Sequence, residues 1–291
     1  MKIELIDNIS KKMLDVLSTI INSSRECKIA VAFVSAKGFS LIEEALHECI
    51  KKNGHMEFLV GLDMLSTDPD ALWNLFQLSQ SSKNVEFFCF SGAKSAAIYH
   101  PKLYLTNSGE TYSIVIGSSN LTEGGLKKNF EVNMLIQANQ HDEIISDTYA
   151  VYNTLKFHPN HIKPDKEFLS IYEKLHSINK KQEGIIKKDI NFKSLKIQLK
   201  EKSLSLKRPK PTRRDLVGWH KLVYEKLPKD RFKLSEIYKY ENEFKEFYPT
   251  NEFIKAKIRQ VLQDLEKFGL VNHVEHGIWK KEVDIYELDS R

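Results

Sequence analysis

The chain has 291 residues, of which 41% are hydrophobic and 29% charged, with a formal net charge of +5. This composition is typical of a folded globular protein and excludes an intrinsically disordered chain. No apolar stretch approaches the roughly 20 residues that span a bilayer, and the N-terminus lacks the apolar segment of a signal peptide, so we expect a cytoplasmic protein without a membrane partner.

The first 176 residues alternate between apolar runs and segments with helical spacing. Helices in such a pattern cover the strands of a sheet, and the connections between the middle strands are hairpin-like. The pattern therefore predicts an α/β fold, with a mixed sheet flanked by helices. The expected strands are 27–35, 56–62, 85–90, 101–105, 112–118 and 131–136, and the expected helices are 36–54, 67–80 and 142–157. We take 1–176 as the first domain.

Residues 177–214 differ from the rest in charge, with 13 lysines and arginines against 3 acidic residues. The segment "SLKRPKPTRRD" at 205–215 contains two prolines and too few apolar side chains to bury a core, so it predicts a hinge. A solvated linker is the simplest interpretation of 177–214. The alternative is an electrostatic contact with a polyanion, to which Arg213 and Arg214 would contribute.

After the basic segment the strand–helix alternation stops. Residues 215–227, 234–248 and 251–269 have helical spacing, and 270–281 reads as two short strands around Gly277. Three helices and a hairpin predict a winged helix-turn-helix domain over 215–291.

Polar residues interrupt two apolar strands of the first domain. His100 and Lys102 lie two positions apart, Ser118 and Asn120 follow a later strand, and Glu131 comes 11 residues after Asn120. A histidine nitrogen can attack phosphorus while lysine, serine and asparagine hold the charged oxygens of the transition state. A carboxylate can orient the ring. Taken singly, a lone histidine would more often be a core residue and Gly-Ser-Ser-Asn an ordinary turn.

The order His-Pro-Lys, Gly-Ser-Ser-Asn and Glu resembles the phospholipase D superfamily, and most closely its short nucleases with one motif set per chain. The resemblance implies that His100 is the nucleophile, that Lys102, Ser118 and Asn120 bind phosphate, and that Glu131 is the partner of His100. The resemblance also implies that the reaction needs no metal and no other cofactor. Asn107 stands where the family motif has aspartate, so position 107 receives no role.

Members of this superfamily use two histidines, one as nucleophile and one as general acid. A second His-x-Lys, formed by His161 and Lys163, has no Gly-Ser-x-Asn after it and lies between prolines, so we interpret it as a chance match. The resemblance therefore implies a homodimer in which His100 of a second copy completes the site.

The last predicted helix has one apolar face and one polar face. The apolar face comprises Ile254, Ile258, Val261, Leu262, Leu265 and Phe268. The candidates for DNA contact on the polar face and its flanks are Lys255, Lys257, Arg259, Gln260, Gln263 and Lys267. Arginine and glutamine read guanine and adenine edges in the major groove, whereas lysines bind phosphate, although a solvated helix face is the alternative for any one residue.

This C-terminal region resembles the winged-helix domain of certain restriction endonucleases, including methyl-directed ones. The two resemblances together imply a Type II restriction endonuclease that cleaves double-stranded DNA through a phosphohistidine intermediate without metal. A non-specific defence or repair nuclease and a non-catalytic DNA-binding regulator are the alternatives. A lipid phosphodiesterase is less favoured because we find no interfacial amphipathic segment.

The three cysteines, Cys27, Cys49 and Cys89, show no Cys-x-x-Cys spacing. An odd and sparse cysteine count favours reduced thiols over a disulfide framework or a zinc site.

Overall fold

The computed structural model describes residues 1–92, 97–181, 190–283 and 285. Its strands are β1 (Lys2–Ile6), β2 (Glu26–Val31), β3 (His55–Gly61), β4 (Val85–Phe90), β5 (Lys102–Asn107), β6 (Tyr112–Gly117), β7 (Asn133–Ala138), β8 (His161–Ile162), β9 (Arg231–Lys233), β10 (Val271–Glu275) and β11 (Ile278–Lys281). Its helices are α1 (Met13–Asn22), α2 (Ala36–Lys51), α3 (Pro69–Ser81), α4 (Glu143–Lys156), α5 (Lys166–Lys181), α6 (Ile190–Ser205), α7 (Gly218–Glu225), α8 (Leu234–Tyr238), α9 (Glu241–Phe247) and α10 (Ile254–Lys267).

Strands β1 to β8 form one mixed sheet in the order β1-β7-β6-β5-β2-β3-β4-β8, which confirms the predicted α/β fold. Strands β2, β3 and β4 are parallel neighbours, whereas β5 runs antiparallel to β2 with Val31 opposite Lys102. The start of β5 therefore meets the carboxyl end of β2. In open α/β sheets, ligands bind outside the carboxyl ends of the parallel strands.

Helices α1, α2, α3 and α5 supply the apolar core against one face of this sheet, with buried side chains such as Leu17, Leu46, Leu75 and Phe168. Local sequence explains where α2 and α3 begin. The Ser35 hydroxyl accepts a hydrogen bond from the Gly38 amide at 3.0 Å, and Asp68 caps α3 just before Pro69. Such caps satisfy backbone amides that a first helical turn leaves free.

The chain divides into two compact units. The first contains residues 1–137 and 159–209, and the second contains 138–158 and 210–291. This division differs from the predicted boundaries in two places, at the basic segment and at α4.

The basic segment holds a helix, α6, that packs within the first unit. Leu199 and Leu206 lie against the core of that unit, and Lys202 pairs with Asp165 and Glu167 at 3.0 and 2.8 Å. The expected linker is thus partly folded, because a few leucines and one ion-pair network anchor a lysine-rich helix. Residues 182–189 of the segment lie outside the described residues.

Helix α4, expected in the first domain, belongs to the second unit. The Lys156 ammonium lies 3.0 Å from the buried Asp215 carboxylate, and the Asn153 amide donates to the Asp215 carbonyl. Lys257 of α10 pairs with Asp147 at 2.8 Å. These contacts join α4 to the polypeptide after residue 210.

The second unit confirms the winged helix-turn-helix prediction. All six residues of the predicted apolar face of α10 are buried, and β10 and β11 form the antiparallel wing, with β9 as a third strand. The expected helix 234–248 is divided into α8 and α9. Within the described part of the chain, no helix combines the length and apolarity that a bilayer span requires.

Candidate active site

His100 and Lys102 are in contact at the edge of the sheet where β2 ends. His100 is exposed just before β5, and the Lys102 ammonium lies 2.7 Å from the His100 Nδ1 and donates to the His100 carbonyl at 3.1 Å. Lys102 is only 9% exposed, and burial lowers its pKa, while the negative charge of Glu131 acts to raise it. The pair places a cation and an imidazole ring side by side at a solvent-accessible position.

Ser118 and Glu131 form a second part of the same site. The Ser118 hydroxyl donates to Glu131 Oε2 and accepts from the Val132 amide at 3.0 Å, while the Asn129 side-chain amide donates to Glu131 Oε1 at 3.2 Å. Within the described chain, these hydrogen bonds attach Glu131 to Ser118 and Asn129, and its charge acts on Lys102. Its role as partner of His100 stays a prediction.

Phe33 connects the remaining candidates and was missed by the sequence reasoning. Its backbone amide donates to Asn120 Oδ1 at 3.1 Å, and its ring meets the His100 ring edge-on with centroids 5.6 Å apart. The Lys102 ammonium lies 6.0 Å from the Phe33 ring centroid. One aromatic residue just after β2 thus lies beside three of the five predicted catalytic residues.

A buried hydrogen-bond network fixes the segment that carries Ser118 and Asn120. The Ser119 amide donates to Asn133 Oδ1 at 3.0 Å, and the Ser119 hydroxyl donates to the Gly125 carbonyl at 2.8 Å. The Tyr104 hydroxyl donates to the Ser119 carbonyl at 2.9 Å. Because Ser119 points inward, its neighbours Ser118 and Asn120 are left at the surface, as the strand alternation predicts.

Gly117 precedes Ser118 at the end of β6. A Cβ atom at Gly117 would lie 2.3 Å from the Val132 carbonyl oxygen, so glycine is required by the neighbouring segment of the chain.

The two motif positions without an assigned role lie elsewhere. Asn107 ends β5 and its side chain accepts from the Gly109 amide at 2.7 Å, so it stabilises the hairpin turn rather than the site. His161 is fully buried against the rings of Phe90 and Tyr99, at centroid distances of 5.3 and 5.0 Å. Both placements agree with leaving these positions out of the catalytic set.

The candidate DNA-contacting residues of α10 lie on its outer face, and five of the six are exposed. Lys255 pairs with Glu241 at 3.2 Å, Arg259 donates to the Tyr238 hydroxyl at 2.9 Å, and Lys267 pairs with Asp264 at 2.9 Å. Gln260 and Gln263 are also exposed. Lys257 is the exception, since its side chain is 11% exposed and pairs with Asp147.

Arg213 and Arg214 are exposed in a short helical turn, Arg213–Asp215, that precedes α7. Their contact with DNA stays a prediction.

A separate polar cluster lies further back on the sheet. Ligand atoms of His55, Glu57 and Glu86 lie within 4.8 Å of one another, a grouping that the sequence spacing did not reveal. The Lys28 ammonium is 3.1 Å from Glu57 Oε1, so a cation of the chain itself already neutralises this carboxylate. A metal ion here would have to compete with Lys28, and we assign the cluster no catalytic role.

Comparisons with known family models give two matches along the chain, and the first extends into α4, which belongs to the second unit. Residues 16–152 match the family model described as cardiolipin synthase, PLD-like domain, and residues 218–281 match the Dam-replacing HTH domain. No curated protein matches the chain.

Solved structures to which this chain is similar include NucT from Helicobacter pylori, with a TM-score of 0.41, 17% identity, and coverage of 51% of this chain and 92% of that one. Nuc from Salmonella typhimurium, a phospholipase D family member, has a TM-score of 0.40, 13% identity, and coverage of 52% and 90%. Phosphatidylserine synthase from Haemophilus influenzae has a TM-score of 0.45, 11% identity, and coverage of 68% and 47%.

Proposed function

We propose that this chain is an endonuclease that cleaves double-stranded DNA without metal, in the manner of a Type II restriction enzyme. The premise is that the chain joins a phospholipase D-like domain to a C-terminal Dam-replacing HTH domain. The observation that carries the proposal is the contact between the exposed His100 and the Lys102 ammonium at the sheet edge. A helix-turn-helix domain supports DNA as the substrate.

In the proposed reaction, a ring nitrogen of His100 attacks phosphorus. The N–P bond forms as the P–O bond to the leaving sugar breaks, and the leaving oxygen takes a proton from a general acid. Lys102, Ser118 and Asn120 stabilise the charge on the phosphoryl oxygens. Water then attacks phosphorus and gives its proton to the deprotonated general acid as the P–N bond breaks, which restores both His100 and the general acid.

We assign the general acid to His100 of a second copy, so the active form is a homodimer. An exposed apolar surface beside Glu131 supports this assignment, because large uncovered apolar patches mark interaction sites. Phe130 is 89% exposed and Val132 67% exposed on either side of Glu131. On the neighbouring strands, Leu5 and Met134, which are paired in register, are also exposed. A second copy covering this surface would bring two sites together.

We assign sequence reading to the C-terminal domain, 215–291, and catalysis to 1–176, with the basic segment 177–214 adding non-specific attraction to DNA. Exposed Arg259, Gln260 and Gln263 on α10 have the side chains that read base edges. Each lost bidentate base contact is expected to cost roughly 1–3 kcal/mol in discrimination. Restriction activity requires that the cuts fall at a defined sequence.

The test is to incubate the full chain with a long plasmid in excess EDTA and to sequence all fragment ends. We expect cleavage at one recurring sequence, and no cleavage by His100→Ala. Cleavage scattered over all sequences would support a non-specific nuclease. Cleavage that disappears in EDTA and returns with magnesium would overturn the metal-independent mechanism.

A further inference from the structure

A cavity of about 420 Å³ lies in the first unit at the carboxyl ends of β3 and β4. Its volume is within the range of about 300–1,000 Å³ that is usual for small-molecule sites. Leu62, Leu65, Leu175 and Leu199 supply apolar walls, and none of the five predicted catalytic residues lines it. It is therefore a second candidate site on the edge of the sheet that also carries His100.

The cavity is attached to the active site through Asp63. Asp63 lines the cavity, and its Oδ2 accepts a hydrogen bond at 2.6 Å from the amide of Tyr99, the residue before His100. Along the sheet, β3 and β4 are the first and second neighbours of β2. Since neighbouring strands are about 4.8 Å apart, β3 and β4 lie about 5 and 10 Å from β2 along the sheet, and the cavity is at the same edge as Phe33 and His100.

The wall beside Asp63 has an unusual backbone. Met64 and Leu65 are consecutive non-glycine residues in the left-handed region, with φ of 58° and 52°. Such conformations are costly for bulky residues and persist where the surroundings impose them. They turn the chain after β3 so that both Met64 and Leu65 border the cavity, with Met64 62% exposed.

Two lysines of α6 give the cavity a positive charge. Lys196 and Lys200 are one helical turn apart, both line the cavity, and both are exposed. Lys202, by contrast, is engaged with Asp165 and Glu167. Lysines four residues apart on one helix face can contact the same anionic group or two adjacent ones. The cavity thus combines apolar walls with a cationic rim.

We infer that this cavity binds a nucleotide of the DNA strand next to the scissile phosphodiester. Its backbone phosphate would meet Lys196 and Lys200, and its sugar and base would lie against the leucine walls. The inference rests on the proposed function, because it takes the substrate to be DNA that reaches His100. It gives the basic segment a defined contact in place of a diffuse attraction.

The experiment compares two double variants of the full chain. Lys196→Gln/Lys200→Gln removes the cationic rim, and Lys51→Gln/Lys52→Gln removes two lysines at the end of α2, before β3 begins. The net charge falls equally in both. Each protein is assayed on duplex DNA and on bis(p-nitrophenyl) phosphate, which is too small to reach from the active site into the cavity and serves as the reference substrate.

We expect the rim variant to raise KM for DNA roughly tenfold relative to the reference substrate, and to reduce the slope of log affinity against log salt by about 2. The Lys51/Lys52 variant should match the wild type in both respects. Equal behaviour of the two double variants would overturn the nucleotide subsite while leaving the nuclease proposal intact. A wild-type protein that cleaves neither substrate would overturn the proposed function and this inference with it.

Discussion

Two clusters of histidine, lysine and glutamate lie on the same sheet and differ in their access to solvent. At the beginning of β2 and β3, Lys28 and Glu57 are fully buried and pair at 3.1 Å. At the carboxyl end of β2, His100 is exposed and contacts Lys102. Lys28 and Phe33 are five residues apart, so about 17 Å of strand separates the clusters.

The difference shows that residue type alone does not identify a catalytic site. A buried ion pair is held by its own charges, and removing one partner leaves an uncompensated charge in the interior. An exposed histidine beside a lysine ammonium can bind a phosphate group that arrives from solvent. We therefore expect changes in the first cluster to affect folding and changes in the second to affect chemistry.

The largest effect is expected for His100→Ala. Loss of the proposed nucleophile should reduce DNA cleavage by about 10⁴-fold or more, and the free energy of unfolding should change little because the side chain is exposed. Cleavage rates and urea denaturation measure the two quantities. The matched control is His55→Ala, at the buried cluster, where we expect lower stability and unchanged cleavage per folded molecule. If His55→Ala abolished cleavage and His100→Ala lowered only stability, the buried cluster and not the exposed one would be the catalytic site.

The next largest effect is expected for Lys28→Met. Because this substitution leaves the buried Glu57 carboxylate without its lysine, the free energy of unfolding should fall by about 3–5 kcal/mol. The double variant Lys28→Met/Glu57→Leu should recover part of this loss, since it removes both charges of the pair, whereas Glu26, 3.4 Å from the Lys28 ammonium, still loses that cation. Denaturant titration of the three proteins provides the test. A loss of activity without any loss of stability would mean that this cluster takes part in the reaction.

A smaller effect is expected for Phe33→Ala, which removes the ring against His100 and Lys102. Small misplacements of catalytic groups can cost about 100-fold, so we expect kcat to fall by about that factor with KM little changed. Phe33→Tyr keeps an aromatic ring at the position and should restore most of kcat. If the alanine and tyrosine variants were equally impaired, Phe33 would not act by positioning the His100 ring.

The smallest effect concerns the pH dependence of cleavage. Burial lowers the pKa of Lys102, so activity should fall as pH rises through that lowered value and the ammonium loses its proton. The charge of Glu131 opposes this shift, and Glu131→Gln should therefore move the alkaline limb of the kcat profile to lower pH. The half-buried Glu123, which pairs with Lys128, provides the control, since Glu123→Gln should leave the limb in place. A limb that moved to higher pH in Glu131→Gln would contradict this assignment.

The sequence was sufficient for the order of strands and helices between residues 27 and 157 and for the winged helix, because apolar periodicity follows burial there. It was insufficient for α6, since a lysine-rich helix anchored by Leu199 and Leu206 has the composition of a linker. Whether such a segment folds depends on its packing against distant parts of the chain, which composition alone does not reveal.

The same limit applies to the candidate site. Motif spacing identified His100 and Lys102, which the structure places in contact, but Phe33 lies 67 residues before His100 and carries no chemical group that would mark it. Only the antiparallel pairing of β2 with β5 brings it to the site. The buried pair Lys28–Glu57 was missed for the same reason, because its partners come from different strands of the sheet.

The most direct test of the exposed cluster is to identify the covalent intermediate. Full-length protein is mixed with cleavable duplex DNA in excess EDTA, quenched in alkali within one turnover, digested, and analysed by mass spectrometry. We expect a nucleotide adduct on the peptide that contains His100, stable in alkali and labile in acid, and absent from His100→Ala. An adduct on Ser118 or on another residue, or rapid cleavage with no adduct on any peptide, would contradict the assignment of His100 as the nucleophile.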